Sequence, residues 1–71
     1  MRGKLRILSS RGDDEHAWHD EATAEKAKAV FDDLMAKNYA AFAKTVTGHE
    51  RVKTFDPNAE EIIVVRPLVG G

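Results

Sequence analysis

Ile62-Ile63-Val64-Val65, followed at once by Arg66-Pro67, is the stretch on which the fold turns. Four consecutive β-branched residues are too few for a helix of their own and favour a pleated strand. Pro67 supplies no backbone donor and biases Arg66 toward an extended conformation, so the strand is predicted to end there. This β-branched apolar run belongs in the middle of a sheet, beside the first strand, with both faces covered.

Upstream, Asp56-Pro57-Asn58 reads as a turn. Residues 42–46 and 50–55 then read as two strands around Thr47-Gly48-His49. One competing pattern exists: Phe31, Met35, Tyr39, Phe42 and Val46 share a helical face if the preceding helix runs on. Asn38 interrupts it, because asparagine readily takes the left-handed conformation that ends helices, and the hairpin is preferred. The helix itself is marked by Ala27, Val30, Phe31, Leu34 and Met35 at spacings of three and four, with Asp20 as N-cap and Asp33 four residues before Lys37. At the other end Lys4-Leu5-Arg6-Ile7-Leu8 reads as a strand and residues 9–14 as turn-forming. Residues 15–19 form a short return strand with His16 and Trp18 on one side and Ala17 and His19 on the other.

The whole chain has 71 residues, enough for one small core, with no cysteine to staple it. A formal net charge of −1 gives no field that would gather a phosphate backbone or an anionic membrane. The stretch of residues 5–8, apolar but for Arg6, is too short for a signal core or a membrane span. The expectation is a single unprocessed cytoplasmic domain over residues 1–67 with a projecting tail at 68–71, binding neither nucleic acid nor membrane.

The order strand, weak strand, helix, strand, strand, strong strand, tail resembles the ubiquitin-like β-grasp superfamily. It resembles especially the sulfur-carrier branch, the small subunit of molybdopterin synthase and the thiamine-pathway sulfur carrier, with bacterial ubiquitin-like modifiers as the other branch left open. The specific match lies in Glu60-Glu61-Ile62-Ile63-Val64-Val65-Arg66-Pro67-Leu68-Val69-Gly70-Gly71. That is an acidic turn, an apolar strand, a proline-containing stub and Gly-Gly. Two departures stand out: the stub carries Arg66-Pro67 where the carriers have a double proline, and Val69 stands where ubiquitin has a basic residue.

The resemblance implies an α+β β-grasp fold, a four- to five-stranded mixed sheet with one helix across it. It also implies a chain that is a substrate and not an enzyme. The Gly71 carboxylate would be activated by an adenylating enzyme using Mg-ATP, then passed to a sulfur-transfer or conjugation partner, with Gly70 as escort. Neither sulfur carriage nor conjugation is preferred. Glycines, lacking a β-carbon, can thread a narrow channel, and Pro67 stiffens the approach. By glycine abundance alone a Gly-Gly end occurs in roughly one chain in 200. Leu68 and Val69 complete the tail, and either Ile62 and Val64 or Ile63 and Val65 point away from the helix. That outer pair, taken as Ile63 and Val65 with Leu8 nearby, is a candidate docking surface for a partner. The alternative is a small non-enzymatic interaction module, an accessory or phage component, with an incidental Gly-Gly end.

Other motifs carry less. His16 and His19 among Asp13, Asp14, Glu15 and Asp20 have no metal-ligand spacing and read as an acidic loop. Arg11-Gly12-Asp13 reads as a tight turn, and Trp18, Phe31, Tyr39, Phe42 and Phe55 as core or half-core aromatics.

Overall fold

A computed structural model describes residues 2–9 and 12–66. Strands β1 (Gly3–Ser9) and β2 (Gly12–Trp18) precede helix α1 (Glu21–Ala36), and β3 (Ala40–Thr45), β4 (Gly48–Val52) and β5 (Glu61–Val65) follow it. They form one five-stranded mixed sheet in the order β2-β1-β5-β3-β4, with α1 packed across one face. The β-branched run lies in the central strand, as its composition requires. It runs parallel to β1, setting Leu5 against Ile62 and Ile7 against Val64, and antiparallel to β3. Residues 42–45 of the expected 42–46 thus belong to a strand, Val46 falls in the turn that follows, and the extended-helix alternative is excluded.

The helix stops before them for a local reason. Lys37 is the C-cap and Asn38 takes φ 66°. The Asn38 amide donates to the Met35 carbonyl at 3.0 Å, and the Tyr39 amide to the Leu34 carbonyl at 3.1 Å. This paired closure satisfies carbonyls that a continuing helix would have used and turns the chain back toward the sheet. At the other end the Thr23 amide donates to Asp20 Oδ1 at 2.8 Å, while the Asp20 amide donates to Thr23 Oγ1 at 3.1 Å. Along the exposed side Lys37 pairs with Asp33 at 3.0 Å.

The Thr23 backbone amide, and then its hydroxyl, hold the Asp20 carboxyl below the usual carboxylate value. A depressed folded-state value stabilises the fold above the unfolded carboxylate range, and that contribution is lost as pH falls through the folded value. Asp20→Ala is therefore expected to melt roughly 5 °C lower at pH 7 in circular dichroism, with the gap narrowing steadily on acidification.

The core is the layer between α1 and the sheet. Ala24, Ala27, Phe31 and Leu34 of the helix bury against Leu5, Trp18, Ala41, Ala43, Ile62 and Val64. Trp18 is fully buried and donates from Nε1 to the Pro57 carbonyl at 3.0 Å. Phe55 meets it edge-on at a centroid distance of 4.9 Å and meets Phe31 at 5.9 Å. Gly3 lies under this ring: a Cβ there would fall 2.2 Å from Trp18 Cζ2 and 2.6 Å from the Ala59 carbonyl oxygen. The 56–59 turn is held by the Asn58 amide on Asp56 Oδ1 at 2.9 Å and by the Ala59 amide on the Asp56 carbonyl at 3.2 Å. It carries the Pro57 acceptor to the indole.

Four expectations are corrected. The second strand begins at Gly12, so Asp13 and Asp14 are strand residues opposite Leu8 and Ile7, and Gly12-Asp13 is not a turn. Pairing with β1 overrides the poor strand propensity of Gly-Asp-Asp. The fourth strand spans Gly48–Val52 instead of residues 50–55, because the turn is only Val46-Thr47 and Gly48, at φ 121°, re-enters the ladder. Phe42 is not a core residue: it alternates with buried Ala41 and Ala43 and so faces away from α1. Finally, among the described residues β5 is covered on one face only, since one helix cannot wrap a sheet; Ile62 and Val64 are fully buried while Ile63 and Val65 are half-buried opposite.

Candidate functional site

The face of the sheet that α1 leaves free is built by strand alternation. Where Leu5, Ala41, Ala43, Ile62 and Val64 point to the helix, their neighbours point the other way. The pairing registers place these neighbours in three rows across the sheet. Asp13, Leu8, Val65 and Ala40 form the first row. Glu15, Arg6, Ile63, Phe42 and Arg51 form the second, and Ala17, Lys4, Glu61, Lys44 and His49 the third.

The centre of this face is apolar and half-buried: Leu8, Ala40, Phe42, Ile63 and Val65. None of them belongs to the core layer on the helix side. Charges frame the apolar centre. Arg6 Nη2 lies 3.1 Å from Glu15 Oε1 and 3.7 Å from Glu61 Oε2, bridging β2, β1 and β5. Such part-exposed pairs contribute little to stability, but they fix where the guanidinium stands. On this face the β2 edge is acidic, with Asp13 and Glu15, whereas β4 presents His49 and Arg51, with Lys53 just beyond its end; Asp14 and Glu50 stand on the helix side.

Two of the sequence-predicted site residues, Ile63 and Val65, stand together on this face. Val65 pairs with Leu8 on one side and Ala40 on the other, and exposed Arg66 follows it. The chain thus leaves the sheet from its central strand, at the end shared by the β1–β2 and α1–β3 connections. The other predicted tail residues, Pro67, Leu68, Val69, Gly70 and Gly71, lie outside the described residues. Phe42, Ala40, Arg6 and Arg51 complete the face and were missed by sequence reasoning. The signal that finds Phe42 is the run Ala40-Ala41-Phe42-Ala43, in which the small side chains admit the helix and the large one must turn outward.

His16 and His19 do not converge. His16 shares the side of Trp18 in β2, and His19 lies beyond the strand with Nδ1 3.4 Å from Asp20 Oδ2. Among the described residues no cluster of three or more metal-ligating side chains occurs, and no charged or polar side chain is buried. Nor, among them, is any helix long and apolar enough to cross a membrane. An open groove of about 400 Å³ lies on the helix side between Glu21, Ala24, Glu25 and Lys28 and the Phe55 and Pro57 side chains. Comparison with protein-family models, with curated proteins and with solved structures gives no match.

Proposed function

We propose that the chain is a β-grasp carrier or modifier of the ubiquitin-like kind, acting as the substrate of an adenylating enzyme. One observation carries this reading: a central, C-terminal strand parallel to β1 delivers the chain out of the sheet toward Pro67, Gly70 and Gly71. The helix between β2 and β3 and the order of the five strands agree with it.

In the proposed reaction a Gly71 carboxylate oxygen attacks the α-phosphorus of Mg-ATP held by the partner. Pyrophosphate leaves and an acyl-adenylate forms. A sulfur nucleophile then attacks the acyl carbon and AMP departs, giving either a thiocarboxylate or a thioester that an amine can capture. The domain contributes no reacting group; it is a rigid handle that the partner grips while the tail enters its site.

The test is mass spectrometry of the chain after incubation with its cognate adenylating enzyme and Mg-ATP, reading adenylate, thiocarboxylate or conjugate at Gly71. The half-exposed apolar face favours a second reading, an interaction module that works without the tail. Partner binding that survives removal of residues 68–71, with no activation of the intact chain, would select it.

A further inference from the structure

We propose that the helix-free face of the sheet docks a second copy of this chain, about a two-fold axis running along β5. The inference is independent of what happens at Gly71. It rests on the way charge is divided across the face, acidic at one edge strand and basic at the other.

A two-fold axis parallel to the central strand lays β2 of one copy over β4 of its partner, and β1 over β3. Such an interface is isologous, so every contact occurs twice. In the second row it stacks Ile63 on Ile63, sets Arg6 over the partner copy's Phe42 ring, and brings Glu15 against Arg51. In the first row Val65 meets Val65, and Leu8 meets Ala40. Apolar groups therefore meet apolar groups along the axis. Cation meets aromatic face one strand out, and carboxylate meets guanidinium at the rim. Two-fold axes in the sheet plane but perpendicular to the strands lack this property, because they lay acidic β2 on acidic β2.

The third row is less favourable. The two Glu61 carboxylates sit among the Lys4 and Lys44 ammoniums of both copies. That row is at the end of the sheet remote from Arg66. The two Arg66 residues stand side by side at the other end.

Unpaired sheet edges are the competing route to self-association. They are poorly suited here, since Asp13, Asp14 and Glu15 on β2 would repel an added strand of like sequence. Five strands about 4.8 Å apart and five residues long present a face of about 400 Å² in plan, at the weak end of specific interfaces. Half-dissociation is accordingly expected between about 10 and 500 µM.

Sedimentation equilibrium of the full chain from about 10 µM to 1 mM tests this, with thermal melts confirming that each variant folds. The parent is expected to pass from monomer to dimer across that range. Glu15→Arg and Arg51→Glu, both at exposed positions, should each weaken the dimer about tenfold or more by opposing like charges twice. Combining the two changes in one chain, or mixing the two single variants, should restore it. A parent that stays monomeric at 1 mM, or a dimer indifferent to both charge reversals, overturns the proposal. The same holds if folded Ile63→Asp associates as the parent does.

Discussion

Trp18→Ala is expected to bring the domain to the margin of folding, with a loss of about 3–5 kcal/mol in urea denaturation followed by circular dichroism. The total stability of a chain of 71 residues is only about 4–11 kcal/mol, so the change removes about a quarter of it at the least. The magnitude follows from the packing. Trp18 is fully buried, contacts Phe55 edge-on and donates to the Pro57 carbonyl, so alanine leaves both a cavity and an unpaired acceptor in the 56–59 turn. The site cannot collapse from below, because Gly3 has no side chain to move into the space. Nor can a larger residue be put there at no cost, since the Ala59 carbonyl would stand 2.6 Å from its Cβ. Trp18→Phe, which keeps an aromatic face but loses the N–H, should fall between the parent and Trp18→Ala. A Trp18→Ala variant as stable as the parent would mean that the aromatic cluster does not close this end of the core.

The second large effect is expected at the opposite end of the chain. Gly70→Val should reduce activation by the cognate adenylating enzyme about a hundredfold or more while leaving the thermal midpoint unchanged. A β-branched side chain one residue from the reacting carboxylate widens the segment that must enter the enzyme's channel and removes backbone conformations that only glycine reaches easily. An error of about an ångström in the position of the carboxylate is sufficient for that loss. Among the described residues, by contrast, the buried layer ends at Val64, so stability should not register the change. A Gly70→Val chain activated as fast as the parent would show that the glycine pair is not gripped.

Much of this architecture was legible from short stretches whose signals agree across levels. The four β-branched residues at 62–65 specify a central strand, and the Asp20 and Asn38 signals bound the helix to within two residues. What could not be read had a common cause: the deciding partner lies outside the stretch being read. Gly-Asp-Asp-Glu is a poor strand by propensity and becomes one only because β1 offers a complete ladder. The run Ala40-Ala41-Phe42-Ala43 is apolar on both faces, so its alternation carries no direction until the helix chooses the alanines.

The same ambiguity touched the candidate site. Alternation showed that one of two pairs, Ile62 with Val64 or Ile63 with Val65, must face outward, and packing against α1 decides it. The charged frame of Arg6, Glu15, Arg51 and His49 becomes visible only when four pairing registers are combined.

The measurement that bears most directly on the central claim compares the intact chain with one lacking Gly70 and Gly71. Each is incubated with the cognate adenylating enzyme and Mg-ATP, and its C-terminus is read by mass spectrometry. The account predicts adenylate, thiocarboxylate or conjugate at Gly71 in the intact chain and none in the shortened one. Modification that persists after the two glycines are removed, or an intact chain that stays a free carboxylate, would contradict it.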